Sequence, residues 1–395
     1  MEWGIVFRRL RTRAPSSPIH TLFPLTLTEN SMATGFGIIG CGMIASFHAK
    51  AIASLRNAKL VACYDTIPAA ADRLAAQTGC KAYYDLDEML KDPGVEVVTI
   101  GTLSGAHRDP AVKAARAGKH VIVEKPLEIT LKKCDEIIAE CEKAGVVLGT
   151  IFPSRFHDSS VQMKKAIDAG RFGKLTMGDA YVKWFRPQKY YDSGAWRGTW
   201  ALDGGGALMN QAIHSVDLLC WLMGPVVEIR AQWGLLDHVN IEVEDTAVAT
   251  LRFANGALGV IEATTAAYPG SLKKIDISGS AGSATLEEED LIRWEFAKSK
   301  ACDKAILEGM ASKKSTGGGA ADPAAIGFQG HAKLFADVLK AIKTGGKPAI
   351  DGIEGRRATE VILGIYQSAE TGKPVQLPLV KDPVIKARKN GRVTQ

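Results

Sequence analysis

Phe36-Gly37-Ile38-Ile39-Gly40-Cys41-Gly42-Met43-Ile44-Ala45 decides how this chain is read. Its apolar opening predicts a strand, its glycines a sharp turn, and the residues through about Leu55 an amphipathic helix. Strand, glycine turn and helix in that order are the setting in which GxGxxA binds a dinucleotide. Gly40 permits the tight turn, Gly42 lets the backbone approach a pyrophosphate, and Ala45 allows the helix to pack close on the strand. Gly40, Gly42, Met43 and Ile44 are therefore expected cofactor contacts, with the free N–H groups and positive dipole end of the helix facing the phosphates.

Glycine turns before helices are common, so the next strand carries the decision. Leu60-Val61-Ala62-Cys63-Tyr64 ends at Asp65, about 20 to 25 residues beyond the turn, where a carboxylate takes ribose hydroxyls. The same charge repels a 2′-phosphate, so NAD is expected and NADP disfavoured. The competing structural role for Asp65 is a helix cap.

Further β-α units follow. Helices are predicted at Pro68–Thr78, Pro110–Ala117 and Thr130–Lys143, and strands at Glu96–Ile100, Val121–Val123 and Val146–Ile151. They make a doubly wound parallel sheet whose ligand lies across the carboxyl edge. Thr102 and His107, in the loop Gly101–His107, are expected cofactor contacts. Val121-Ile122-Val123 stops abruptly at Glu124-Lys125-Pro126, and Lys125, just past a strand end, is the first candidate for chemistry.

After Pro153 the pattern changes to helix Ser159–Ala169, strand Leu175–Trp184, a loop with Trp196-Arg197 and Asp203-Gly204-Gly205-Gly206, and helix Ala207–Met223. Alternating runs then predict a mainly antiparallel sheet with helices on one face, Asn255-Gly256 being a hairpin signal. On the helix, Asn210, His214 and Asp217 are spaced to share one polar face lining a cleft. His and Asp at that spacing lack a third convergent ligand, so no metal is expected. His48, His157, His238 and His331 have no partner pattern in their local sequence. Helices near Phe328–Lys343 and Glu354–Thr371 close the chain, after a glycine-rich stretch (312–321) expected to be a mobile loop or lid.

Composition excludes much. At 46% apolar and 23% charged, 395 residues suffice for two domains with their own cores, and no apolar run nears the roughly 20 residues of a membrane span. A net charge of +6, spread rather than clustered, does not point to nucleic acid. Seven cysteines without a CxxC pair signal neither a disulfide framework nor a thiolate metal site and fit a reducing cytoplasm. The expected organisation is an N-terminal extension (1–32, with Arg8, Arg9, Arg11 and Arg13), either a transit-like segment or a disordered stretch before a start at Met32. A dinucleotide domain (33–152) and an α+β substrate and oligomerisation domain (153–395) follow.

Three motifs, Gly37-Ile-Ile-Gly40-Cys-Gly42, Ala117-Gly-Lys-His-Val-Ile-Val-Glu124-Lys125-Pro126 and Gly204-Gly-Gly-Ala-Leu-Met-Asn210-Gln-Ala-Ile-His214-Ser-Val-Asp217, make the chain resemble the Gfo/Idh/MocA oxidoreductases over roughly Phe36 to Leu379. The resemblance implies a Rossmann domain, NAD, and hydride transfer at a secondary hydroxyl or keto group of a sugar, sugar derivative or inositol. It implies Lys125 beside nicotinamide and substrate, His214 as proton acceptor or donor, and Glu124 and Arg155 among the cofactor contacts. Asn210 stands where many members carry an aspartate, which makes it a substrate hydrogen-bonding group. Trp184, Trp196, Arg197 and Tyr268 are further substrate candidates. Burial beside a cationic ring should lower the Lys125 pKa towards neutrality, where His214 ordinarily titrates. A homodimer or homotetramer through the uncovered sheet face is expected. The rivals are an NAD-dependent glycosidase or epimerase without net redox change, and a non-catalytic NAD-binding sensor.

Overall fold

A computed structural model describes residues 33–311 and 327–385. The expectations for residues 1–32 and 312–321 lie outside the described residues.

The first sheet contains β1 (Thr34–Ile39), β2 (Ala58–Tyr64), β3 (Lys81–Tyr83), β4 (Val97–Ile100), β5 (His120–Val123) and β6 (Leu148–Thr150). All pairings are parallel, in the order β3-β2-β1-β4-β5-β6. The strands read as near-continuous apolar runs because helices cover both faces. The chain winds outward from β1 to β3, then returns to the other side of β1 at β4, so the connections leave a crevice at the carboxyl ends of these two strands. β3 and the helix Leu86–Lys91 escaped the sequence reading: three residues are too few to show a period, although Asp85 caps that helix through the Glu88 N–H.

The second sheet holds β7 (Leu175–Lys183), β8 (Val226–Gly234), β9 (Thr246–Phe253), β10 (Leu258–Thr264), β11 (Lys274–Gly279), β12 (Gly282–Glu287), β13 (Asp290–Phe296) and β14 (Val375–Gln376). Its order is β13-β12-β11-β7-β10-β9-β8-β14, antiparallel except where β7 meets β10. β9 shows why one face is buried: Ala247, Ala249, Leu251 and Phe253 point inward, while Val248, Thr250 and Arg252 are exposed. Helices Ile213–Met223 and Gly352–Thr371 pack on the buried side.

The two sheets share one core, in which Phe36 stacks on Phe335 and Tyr366 lies fully buried. The closing helices brace the first sheet as well as the second. Thr150 donates its N–H to the Ile350 carbonyl at 2.9 Å, and Gly355 passes so near Thr150 that a Cβ would sit 2.2 Å from its hydroxyl. Among the described residues no helix is long and apolar enough to cross a membrane.

Candidate active site

The nucleotide side is built by backbone. Gly40 ends β1 at φ +91°, and a Cβ there would stand 2.8 Å from the Gly101 and Thr102 backbone, so glycine is required twice over. Gly42 opens the helix Met43–Ala53 without a side-chain cap, leaving first-turn N–H groups available to an anion beside exposed Gly42 and Met43, with Ile44 half-buried behind them. Asp65 accepts the Cys41 N–H at 2.7 Å and the Ile67 N–H at 2.8 Å. Its carboxylate thus lies against the glycine turn, while Ile67, not Asp65, occupies the N-cap of the next helix. An uncapped helix end, a turn with no Cβ at Gly40 or Gly42 and a carboxylate beside it fit a dinucleotide. Thr102 is half-exposed, but His107 is buried, its ring nitrogens at 2.8 Å from the Pro126 carbonyl and 3.3 Å from that of Thr102. His107 is thus buried between the two loops, and as a ring whose pKa burial lowers it donates to one of the two carbonyls.

Lys125 leaves the end of β5 half-buried and donates its Nζ to the Asn210 carbonyl at 2.9 Å. The first sheet's edge is thereby joined to the helix that carries His214. Burial lowers the Lys125 pKa, and Glu124 and Asp203 oppose that shift. His214, half-buried with its Nδ1 unpartnered and its ring edge-on to Phe152, is pushed well below the usual imidazole range by burial, then by Lys125 and Lys273. The expectation that His214 titrates near neutrality is corrected: it is a neutral imidazole there.

The helix bearing these groups is not straight. Residues Ala207–Ala212 are wound as a π-helix before Ile213–Met223 continues as α. Glu244 sets this start, accepting the Gly206 and Leu208 N–H groups at 2.9 and 2.8 Å and the Tyr366 hydroxyl at 2.9 Å. The wider turn ends before Ile213, so it re-aims Asn210 relative to His214. Asp217 turns into the core, only 1% exposed, where it binds Arg155 at 2.6 and 2.8 Å; Arg155 also donates to Glu354 at 2.8 Å. The Arg155 guanidinium is committed to these carboxylates, which corrects its assignment to the cofactor.

Glu124 is likewise turned inward. One carboxylate oxygen meets His48 Nε2 at 2.9 Å and lies 3.6 Å from His331 Nε2, and the other accepts the Lys125 N–H at 3.0 Å. The three donor atoms lie within 4.8 Å of one another, a grouping that a cation could share; the 2.9 Å contact has the length of a charge-assisted hydrogen bond. The imidazoles hold the Glu124 carboxyl well below its ordinary pKa despite burial. His48 and His331 were invisible locally because their partner is 76 residues from one and in another part of the fold from the other.

Asp203 was also missed, although it directly precedes the triple glycine. It is buried and accepts the Asn210 side-chain N–H at 2.6 Å and the Gly198 N–H at 3.0 Å. Arg197 stacks on Tyr190 and Trp196, with centroids 4.3 and 4.4 Å away. Trp184 is buried beneath Arg186, so it presents no open ring face, whereas Tyr268 is 81% exposed against Phe185.

Residues 34–152 match the family described as an oxidoreductase family with an NAD-binding Rossmann fold, and residues 160–285 match the GFO/IDH/MocA C-terminal domain. The chain is 32% identical to myo-inositol 2-dehydrogenase of Thermotoga maritima over 62% of this chain and 73% of that one. It is 26% identical to the NAD(+)-dependent scyllo-inositol 2-dehydrogenase of Bacillus subtilis over 86% and 95%. The WlbA dehydrogenase of Bordetella pertussis, solved with NADH and UDP-GlcNAcA, superposes with a TM-score of 0.78 at 35% identity, covering 88% of this chain and 99% of that one.

Proposed function

The chain belongs to the GFO/IDH/MocA oxidoreductase family and is an NAD-dependent dehydrogenase of CH–OH groups; from that premise we propose that it oxidises, reversibly, a secondary hydroxyl on a sugar or inositol-like ring, with Lys125 and His214 moving the hydroxyl proton. The observation that carries this is the 2.9 Å reach of Lys125 Nζ to the Asn210 carbonyl, which joins an amine to the helix turn leading to an imidazole. Bound NAD supplies the hydride acceptor. The hydroxyl proton must leave with the hydride, so a base has to stand within hydrogen-bond reach. His214 is neutral and able to accept it, and burial makes Lys125 a better base than a lysine in water. Asn210 supplies a hydrogen bond to the ring, and Trp196, Arg197 and Tyr268 border the ring side.

In this reading residues 33–152 hold NAD, and residues 153–395 hold the sugar and a second copy of the chain. Met177, Val248 and Leu258 are exposed on the sheet face that no described helix covers, and an antiparallel sheet with an apolar open face is commonly buried against a partner. Light scattering tests this: Val248→Glu should halve the particle mass without changing NAD affinity, and a wild-type monomer would end the idea.

The test of the activity is NAD reduction, followed as NADH absorbance, with myo-inositol, scyllo-inositol and UDP-GlcNAcA. NADH should accumulate with at least one. Release of an altered sugar without NADH would favour the glycosidase or epimerase route instead.

A further inference from the structure

We propose that Asp203 is a positioning residue of this site: it holds the carboxamide nitrogen of Asn210, so that the carboxamide oxygen is what Asn210 presents to a substrate hydroxyl. This deepens the proposed activity and rests on it.

An amide's two ends are told apart by what they bind. Asp203 Oδ1 lies 2.6 Å from Asn210 Nδ2, and its other oxygen already accepts the Gly198 N–H. Burial raises the Asp203 pKa, and the Gly198 N–H, Asn210, Lys125 and Arg197 oppose that; ionised, the carboxylate only accepts, so the end of Asn210 facing it is the nitrogen. The Asn210 backbone carbonyl is taken by Lys125, and no described residue donates to the side-chain oxygen. That oxygen is the acceptor left for a ligand, next to the amine that takes part in proton transfer.

The loop leaves Asp203 little freedom to do anything else. A Cβ at Gly204 would lie 2.2 Å from Ile129, at Gly205 2.1 Å from the Tyr366 hydroxyl, and at Gly206 1.7 Å from the Glu244 carbonyl. Three glycines thus press the segment against its surroundings and deliver the buried carboxylate to one place. The pair is also matched in charge. An aspartate at 210 would set two carboxylates at hydrogen-bond distance in a buried site, which Lys125 and Arg197 alone would have to offset.

The experiment measures kcat and KM with whichever of myo-inositol, scyllo-inositol and UDP-GlcNAcA the wild type turns over, with NAD affinity and thermal melting as controls. Asn210→Ala and Asp203→Ala should each lose about tenfold in kcat/KM, the value of one hydrogen bond, mainly through KM. The double variant should be no worse than either. Asn210→Asp should be poor and should recover when combined with Asp203→Asn, a swap that remains readable if Asp203→Ala does not fold. Multiplying losses in the double variant, wild-type kcat/KM in Asp203→Ala, or no recovery in the swap overturns the assignment. Wild-type failure with all three substrates strikes the redox reading instead, and calorimetric binding of UDP-GlcNAcA to the NAD-loaded variants then tests Asp203.

Discussion

The turn at Gly40–Gly42, just past β1, and the seam that Lys125, just past β5, makes with the helix of Asn210 and His214 both stand at the carboxyl edge of the first sheet, yet they are held in different ways. The turn is fixed by backbone: φ at Gly40, the absence of a Cβ at Gly40 and Gly42, and an uncapped helix start. The seam is fixed by side chains from distant segments: Glu124 clamped by His48 and His331, Asp203 on Asn210, Glu244 under the helix start. A backbone site depends on a few consecutive residues and tolerates little at them. A side-chain site distributes its demands over the whole fold, and each partner governs chemistry more than binding.

Substitutions at the two places should therefore separate. Lys125→Met removes the amine from the seam and should lower kcat by roughly 10²–10⁴-fold, the usual range for a proton-transfer group, with NAD affinity kept. Near-wild-type turnover in that variant would take the proton transfer away from Lys125. At the turn, Gly40→Ala should act in the opposite order. It forces a side chain into φ +91° and to within 2.8 Å of the Gly101 backbone, so calorimetry should show NAD binding lost and melting lowered. Gly42→Ala has nothing within 4 Å of its new Cβ, so melting should hold while NAD binding weakens. Equal effects of the two alanines on both measurements would remove the steric distinction within the turn.

How much was legible follows the same division. The parallel sheet, the glycine turn, Asp65 and the strand end at Lys125 were readable because each is a local pattern of strand, turn and helix. The antiparallel sheet was readable from alternation and the Asn255-Gly256 turn, where Gly256 indeed takes φ +87°. What escaped depends on contacts far apart in sequence. The polar face drawn from Asn210 to Asp217 assumed a uniform α-helix; the π turn set by Glu244, more than 30 residues later, re-aims Asn210, and Arg155 draws Asp217 into the core. Arg155 looked like an anion ligand until Asp217 and Glu354 met it. Asp203 had a signal, an acid abutting three glycines, but nothing in the sequence said which side chain it would meet.

A smaller effect is expected from Asp65. Its carboxylate already accepts two backbone N–H groups at the turn, and it stands where a 2′-phosphate would add like charge. Asp65→Ser should improve NADP affinity relative to NAD several-fold, in a calorimetric competition, while leaving kcat with NAD nearly unchanged. A fall in kcat without any change in nucleotide preference would mean that the turn and the seam are coupled through this residue.

Glu124 gives the finest test, because it belongs to the seam and yet touches the nucleotide helix through His48. Glu124→Gln can be accommodated: its amide donates to His48 Nε2 if the ring moves its proton to Nδ1, which lies 3.1 Å from the Thr99 hydroxyl, and its oxygen still accepts the Lys125 N–H. What is lost is the negative charge beside the lysine. That charge raises the Lys125 pKa against the lowering by burial, and Asp203 remains as the second acid and Arg197 as the opposing cation. Removing it moves the Lys125 pKa down. Oxidation needs the neutral amine, so the rising limb of kcat/KM against pH should shift to lower pH in Glu124→Gln, with NAD affinity little changed. His214, already neutral over this range, would add nothing to the shift. A limb that stays in place, in a variant that still melts like the wild type, would show that Glu124 only holds the loop and that some other group titrates in the seam.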